Sequence, residues 1–167
     1  MPPKPAWASM SDKAKGEWVE SVFMTKIGAL RLSFARPPGD NEPFDFIVCD
    51  RSGKPLKVQV KSCWTVAPLG YRIQMHRWSP GRRRPLGFDV LVVYIPPHDV
   101  WYVLPAAALP PGRIIYFWPH ARRRSRSKWE PFQSKWSILS GDSADDHRLL
   151  GITIHAAAGD GKSSNLP

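Results

Sequence analysis

Residues 43–62 read PFDFIVCDRSGKPLKVQVKS and carry side chains with the types and spacing for phosphate chemistry. Side chains along a strand alternate between its faces. Phe44, Phe46 and Val48 therefore share one face of the first strand, and Asp45, Ile47 and Cys49 the other. The DRSGK stretch is rich in turn formers and Gly53 tolerates a positive φ, so the segment reads as a hairpin. In the returning strand Leu56, Val58 and Val60 face one way, and Lys57, Gln59, Lys61 and Cys63 the other. Closing the hairpin can bring Asp45 beside Gln59 and Lys61. One carboxylate, one amide oxygen and one ammonium make a set suited to a divalent cation and a phosphate. Polar–apolar alternation is also the ordinary mark of an antiparallel sheet with one wet face, so the hairpin alone leaves both readings open.

The elements around this hairpin decide what else can reach it. After a Pro-rich arm over residues 1–12, Ser9 followed by Asp12 offers a helix cap, and a helix is predicted from about residue 11 to Gly28. Val19, Val22, Phe23, Ile27 and Leu30 fall near one face, which Lys26 interrupts. Relative to that apolar face, Glu20 lies roughly 85° away at its edge and Glu17 roughly 145° away toward solvent. Of the two, Glu20 is the carboxylate that could reach an internal site; the alternative for both is an ordinary solvated helix charge.

LRLSFA alternates as a first strand, and YRIQMHRW as one with a wetter face formed by Arg72, Gln74 and His76. FDVLVVYI is almost continuously apolar and β-branched, as expected of a strand buried on both sides, and DVWYVLP extends the sheet. A short helix or turn at PAAALPPG leads to a strand at RIIYFW. WEPFQSKWSIL places Trp129, Phe132, Trp136 and Leu139 at helical spacing, predicting an amphipathic helix whose aromatics serve the core rather than base stacking. The tail after residue 140 is an extension whose end, HAAAGDGKSSNLP, has little to bury and is expected to be disordered.

A chain of 167 residues, 43% hydrophobic, suffices for one globular domain with its own core. The formal charge of +10 is concentrated in two runs, Arg82, Arg83 and Arg84, and Arg122, Arg123, Arg124, Arg126 and Lys128. Such clustering suits a polyanion, because each phosphate met by Lys or Arg releases condensed counterions. Cys49 and Cys63 form no metal-ligand pattern and no disulfide framework, and the five histidines lack ligand spacing. No stretch has the apolar length of a membrane span or the core of a signal peptide, so a cytoplasmic protein is expected.

Taken in order, KGEWVE, PFDFIV, VQVKS and FDVLVVYIPPHDVWYVLP resemble the PD-(D/E)XK nuclease superfamily. The resemblance covers residues 13–140 and lies with the small endonucleases that carry Gln-x-Lys in place of acid-x-Lys, similar to group I intron homing endonucleases and, more distantly, to Holliday junction resolvases. It implies an α/β, restriction-endonuclease-like core with a mixed central sheet flanked by helices. It implies that Asp45 is the central metal ligand, that Gln59 takes a position usually held by an acid, that Glu20 adds the helix carboxylate, and that Lys61 polarises or orients the attacking water. The expected activity is Mg²⁺-dependent hydrolysis of DNA, with Mn²⁺ as a substitute and a homodimer or higher homo-oligomer as the working form. The rival within enzymes is a structure-selective nuclease of the Holliday junction resolvase type, and because the departure at Gln59 leaves two nearby carboxylates rather than three, the rival outside enzymes is a DNA-binding module with a degenerate nuclease site.

Overall fold

The structure, a computed structural model, describes residues 6–39, 41–75, 86–110, 114–120 and 128–142. Its elements are α1 (Asp12–Ala29), β1 (Ser33–Ala35), β2 (Phe46–Cys49), β3 (Pro55–Ser62), β4 (Val66–Ala67), β5 (Gly70–Gln74), β6 (Val90–Ile95), β7 (Val100–Pro105), β8 (Ile114–Phe117) and the short α2 (Ser137–Ser140). Helix α1 is capped by Ser11, whose hydroxyl accepts from the Ala14 N–H at 3.2 Å. The expected cap at Ser9 is displaced because Ala6–Ser9 already wind into a 3-10 turn. At the other end Arg31 takes φ +58°, and the Leu32 N–H bonds back to the Ile27 carbonyl. That left-handed residue closes the last carbonyls and turns the chain into β1.

Five strands form a mixed sheet in the order β1-β2-β3-β6-β7, antiparallel throughout except for the parallel β3–β6 pair. The apolar stripe of α1, Val19, Phe23 and Ile27, packs on one face against Phe46, Val48, Val58, Val90 and Val92. Strand β6 is buried on both faces as its sequence predicts, with Leu91, Val93 and Ile95 pointing into a second core. That opposite face is covered by a three-stranded antiparallel sheet, β4-β5-β8, through Tyr71, Ile73, Ile115 and Phe117. The two-residue β4 is too short to leave a period in the sequence.

Two further expectations are corrected. WEPFQSKWSIL is not one helix: Glu130–Phe132 form a 3-10 turn, Gln133 is extended, Ser134 has φ +50°, and only Ser137–Ser140 are α-helical. The cause is β7, the last strand of its sheet. Gln133 bridges Tyr102, and the Ser134 N–H donates to the Trp101 carbonyl at 2.8 Å, so the segment covers an otherwise open strand edge. Its Trp129 and Leu139 are nevertheless buried, as expected of core residues. The second correction is Phe44, which lies in the core opposite to that of Phe46 and Val48. Alternation begins only where the ladder does, and Phe44 precedes β2. Residues 143–167, with the expected disordered end, lie outside the described residues.

Candidate active site

The expected hairpin forms, with Phe46 opposite Val58 and Cys49 opposite Pro55. Its turn is built by Asp50, whose Oδ1 accepts from the Ser52 N–H at 2.8 Å and the Lys54 N–H at 2.9 Å, while Gly53 takes φ +85°. The pairing runs one residue beyond β2. The Asp45 N–H donates to the Val58 carbonyl at 2.9 Å, and Asp45 Oδ2 accepts from the Val60 N–H at 2.7 Å and from Gln59 Nε2 at 2.5 Å. Asp45 and Gln59 therefore meet as the spacing suggests.

The direction of the Gln59 amide follows from its neighbours. Its nitrogen also reaches the Val60 carbonyl at 3.3 Å. An ionised carboxylate and a carbonyl only accept hydrogen bonds, so the NH₂ end must face both. Gln59 is 8% exposed, which holds this arrangement out of water. For the amide oxygen to serve a ligand beside Asp45, the amide must turn over.

Burial pushes the Asp45 carboxyl above its ordinary range, while the Val60 N–H and the positive charges of Lys61 and Arg36 pull it back. Lys61, half-buried on β3, thus acts on Asp45 through space. Glu20 arrives from α1: it shares with Asp45 a cavity of about 430 Å³ that Arg36, Glu42 and Phe44 also line. Glu20 Oε2 accepts from Arg36 Nη2 at 2.5 Å, and the Arg36 guanidinium lies 5.4 Å from the centre of the Phe46 ring. Sequence reasoning did not single out Arg36 or Glu42. Arg36 is presented only because β1 pairs with β2, Ala35 opposite Ile47, and neither run nor periodicity marks it.

The oxygens available here are the Asp45 and Glu20 carboxylates, which line one cavity, and the Val60 carbonyl on the far side of the Gln59 amide. Such a donor set fits a hard cation such as Mg²⁺ better than a thiophilic one. Among the described residues no three His, Cys, Asp or Glu side chains cluster as a complete metal cage, so coordination would draw on Gln59, backbone or substrate oxygens. Of the expected DNA-contacting residues, Lys128 is exposed with its Nζ 4.6 Å from the Trp129 ring centre. Arg82, Arg83, Arg84, Arg122, Arg123, Arg124 and Arg126 lie outside the described residues. No helix among the described residues is long and apolar enough to cross a membrane.

A mixed sheet with a flanking helix thus presents an aspartate beside Gln59 at the mouth of the hairpin, and the family model that the chain matches is that of the PD-(D/E)XK endonucleases. The family so described matches residues 10–129, and the chain belongs to it. Among solved structures, the bacterial homing endonuclease I-Ssp6803I shares the fold, with a TM-score of 0.67 and 24% identity over 79% of this chain and 95% of that one. No curated protein matches.

Proposed function

We propose that the protein is a Mg²⁺-dependent DNA endonuclease, homing-endonuclease-like, that hydrolyses phosphodiester bonds at the Asp45 site. The observation that carries this reading is the meeting of Asp45, held by Val60 and Gln59, with Glu20 of α1 in one cavity. Asp45 and Glu20 would hold the cation, with Gln59 as a neutral third ligand once its amide has turned. When bound, Mg²⁺ supplies Lewis acidity and a water of lowered pKa. Lys61 orients that water or stabilises the negative charge that develops on the phosphate oxygens. A neutral Gln59 makes the cation-ligand set less negative than three carboxylates would, which weakens cation affinity in the absence of substrate. DNA is the natural substrate for a chain of +10, and a homodimer would allow one active site per chain to cut both strands.

Gln59 also supports a second reading. A self-satisfied Asp45–Gln59 pair is what a DNA-binding module that has lost cleavage would keep. Plasmid nicking separates the two: supercoiled DNA should be cut with Mg²⁺ or Mn²⁺, spared with EDTA, and spared by Asp45→Ala and Lys61→Ala proteins that still bind DNA. Cleavage by purified Asp45→Ala would remove this mechanism.

A further inference from the structure

The cavity at Asp45 presents a difficulty for its substrate. Three carboxylates line it, Glu20, Glu42 and Asp45, and a phosphodiester brought there meets repulsion from each. Arg36 is the cationic side chain lining the same cavity. Its guanidinium sits on Glu20, yet the side chain remains 55% exposed, against 24% for Glu20. It is therefore half open to a ligand while its guanidinium lies over the Phe46 ring, which limits the directions in which it can swing. A guanidinium presents a planar fork of donors that matches phosphate oxygens, and it is less strongly hydrated than an ammonium.

We propose that Arg36 receives the scissile phosphate, exchanging its ion pair with Glu20 for phosphate oxygens. This rests on the nuclease reading above and adds to it an order of events. In the resting site the Arg36 guanidinium covers Glu20 and the Gln59 amide covers Asp45, so both carboxylates already hold donors. Arrival of the substrate is what draws Arg36 away. Cation affinity and DNA affinity are then coupled, each favouring the other.

The test uses the full chain and the variants Arg36→Ala, Arg36→Lys and Glu20→Gln. Calorimetric titration with Ca²⁺ alone, without DNA, should show Arg36→Ala binding the cation several-fold more tightly than wild type, since a positive charge is removed from the cavity. Single-turnover cleavage of duplex DNA at saturating Mg²⁺ should nevertheless fall roughly a hundredfold, the loss typical of removing one donor to a developing anion. A merely structural tie between β1 and α1 makes the opposite pattern: weaker or unchanged Ca²⁺ binding, and equal losses of melting temperature in Arg36→Ala and Glu20→Gln. That pattern, or cleavage by Arg36→Ala within about twofold of wild type, overturns the assignment. If Arg36→Ala does not fold, Arg36→Lys decides. It keeps the charge and loses the fork, so slowed cleavage at wild-type melting temperature upholds the assignment and wild-type cleavage refutes it. A wild-type chain that neither binds Ca²⁺ nor cleaves DNA refutes the nuclease reading itself, an outcome distinct from failure at Arg36 alone.

Discussion

At the scale of single residues, Gln59 decides how the Asp45 carboxylate is held. Its NH₂ group neutralises part of the Asp45 charge in a place that water barely reaches. Gln59→Ala leaves that carboxylate one donor short, and a lost hydrogen bond to a charged group costs about 1.5–3 kcal/mol, to be read by urea unfolding in EDTA. Gln59→Glu does the reverse chemically. It sets a second carboxylate against Asp45, which should tighten Mg²⁺ binding in calorimetry while slowing cleavage or moving its metal optimum, because the added charge repels the phosphate. Identical cation binding and cleavage in both variants and wild type would reduce Gln59 to a sheet residue. Asp45 adds a pH signature. Burial raises its folded value above 3.8, so the folded state holds the proton more tightly than the unfolded chain. The stability this supplies is present at acid pH and is lost as pH rises through the folded value. Thermal melts across that window in EDTA should show the decline, and Asp45→Asn should flatten it.

At the scale of elements, the site depends on how firmly α1 is seated, because Glu20 rides on it. Phe23 is fully buried, 5.0 Å from the Phe46 ring and 6.5 Å from Trp101. Phe23→Ala should cost about 3–5 kcal/mol of unfolding free energy and reduce cleavage with it, since the cavity left behind frees the helix to shift. The β6–β7 pair carries a separate alkaline limit. Tyr94 stacks on Trp101 at 4.1 Å and donates its hydroxyl to Asp99 Oδ1 at 2.9 Å. Burial first, and then the Asp99 carboxylate, push its phenol up to about 12. A raised folded value means stability fully present below the ordinary value of 10 and lost as pH climbs through about 12. Ultraviolet titration should find this late tyrosine, and Tyr94→Phe should remove its share of the alkaline slope. Retention of the full slope in that variant would assign it to another group.

Over the whole molecule, charge and assembly would govern the proposed DNA binding. A formal charge of +10 makes affinity fall steeply with salt. Neutralising Arg122, Arg123 and Arg124 together should weaken binding across sequences and shallow the slope of log affinity against log salt by up to about three phosphate contacts' worth. An unaltered slope would make that run a solubilising surface. Concerted cutting of both strands by a dimer should appear as linear product without accumulation of nicked plasmid, together with a two-chain species in analytical ultracentrifugation.

Local periodicity determined much of this protein before any folding. The hairpin, the doubly buried β6 and the Val19–Phe23–Ile27 stripe all follow from strand and helix geometry acting on neighbouring residues, which is why Asp45 and Gln59 could be paired on paper. Asp45, Gln59 and Lys61 stand out in the sequence as polar side chains in strand-like segments, and Glu20 as the glutamate at the edge of the apolar face of α1. Tertiary structure alone decided the rest, because it depends on contacts between distant segments. Docking of α1 on β2 and β3 brings Glu20 into the Asp45 cavity, and pairing of β1 with β2 delivers Arg36 to Glu20. The parting of the strands into two sheets depends on long-range pairing, β5 with β8 and β3 with β6. Residues 129–139 had the period of a helix, but the open edge of β7 offered hydrogen bonds that a continuous helix could not reach, and the edge won.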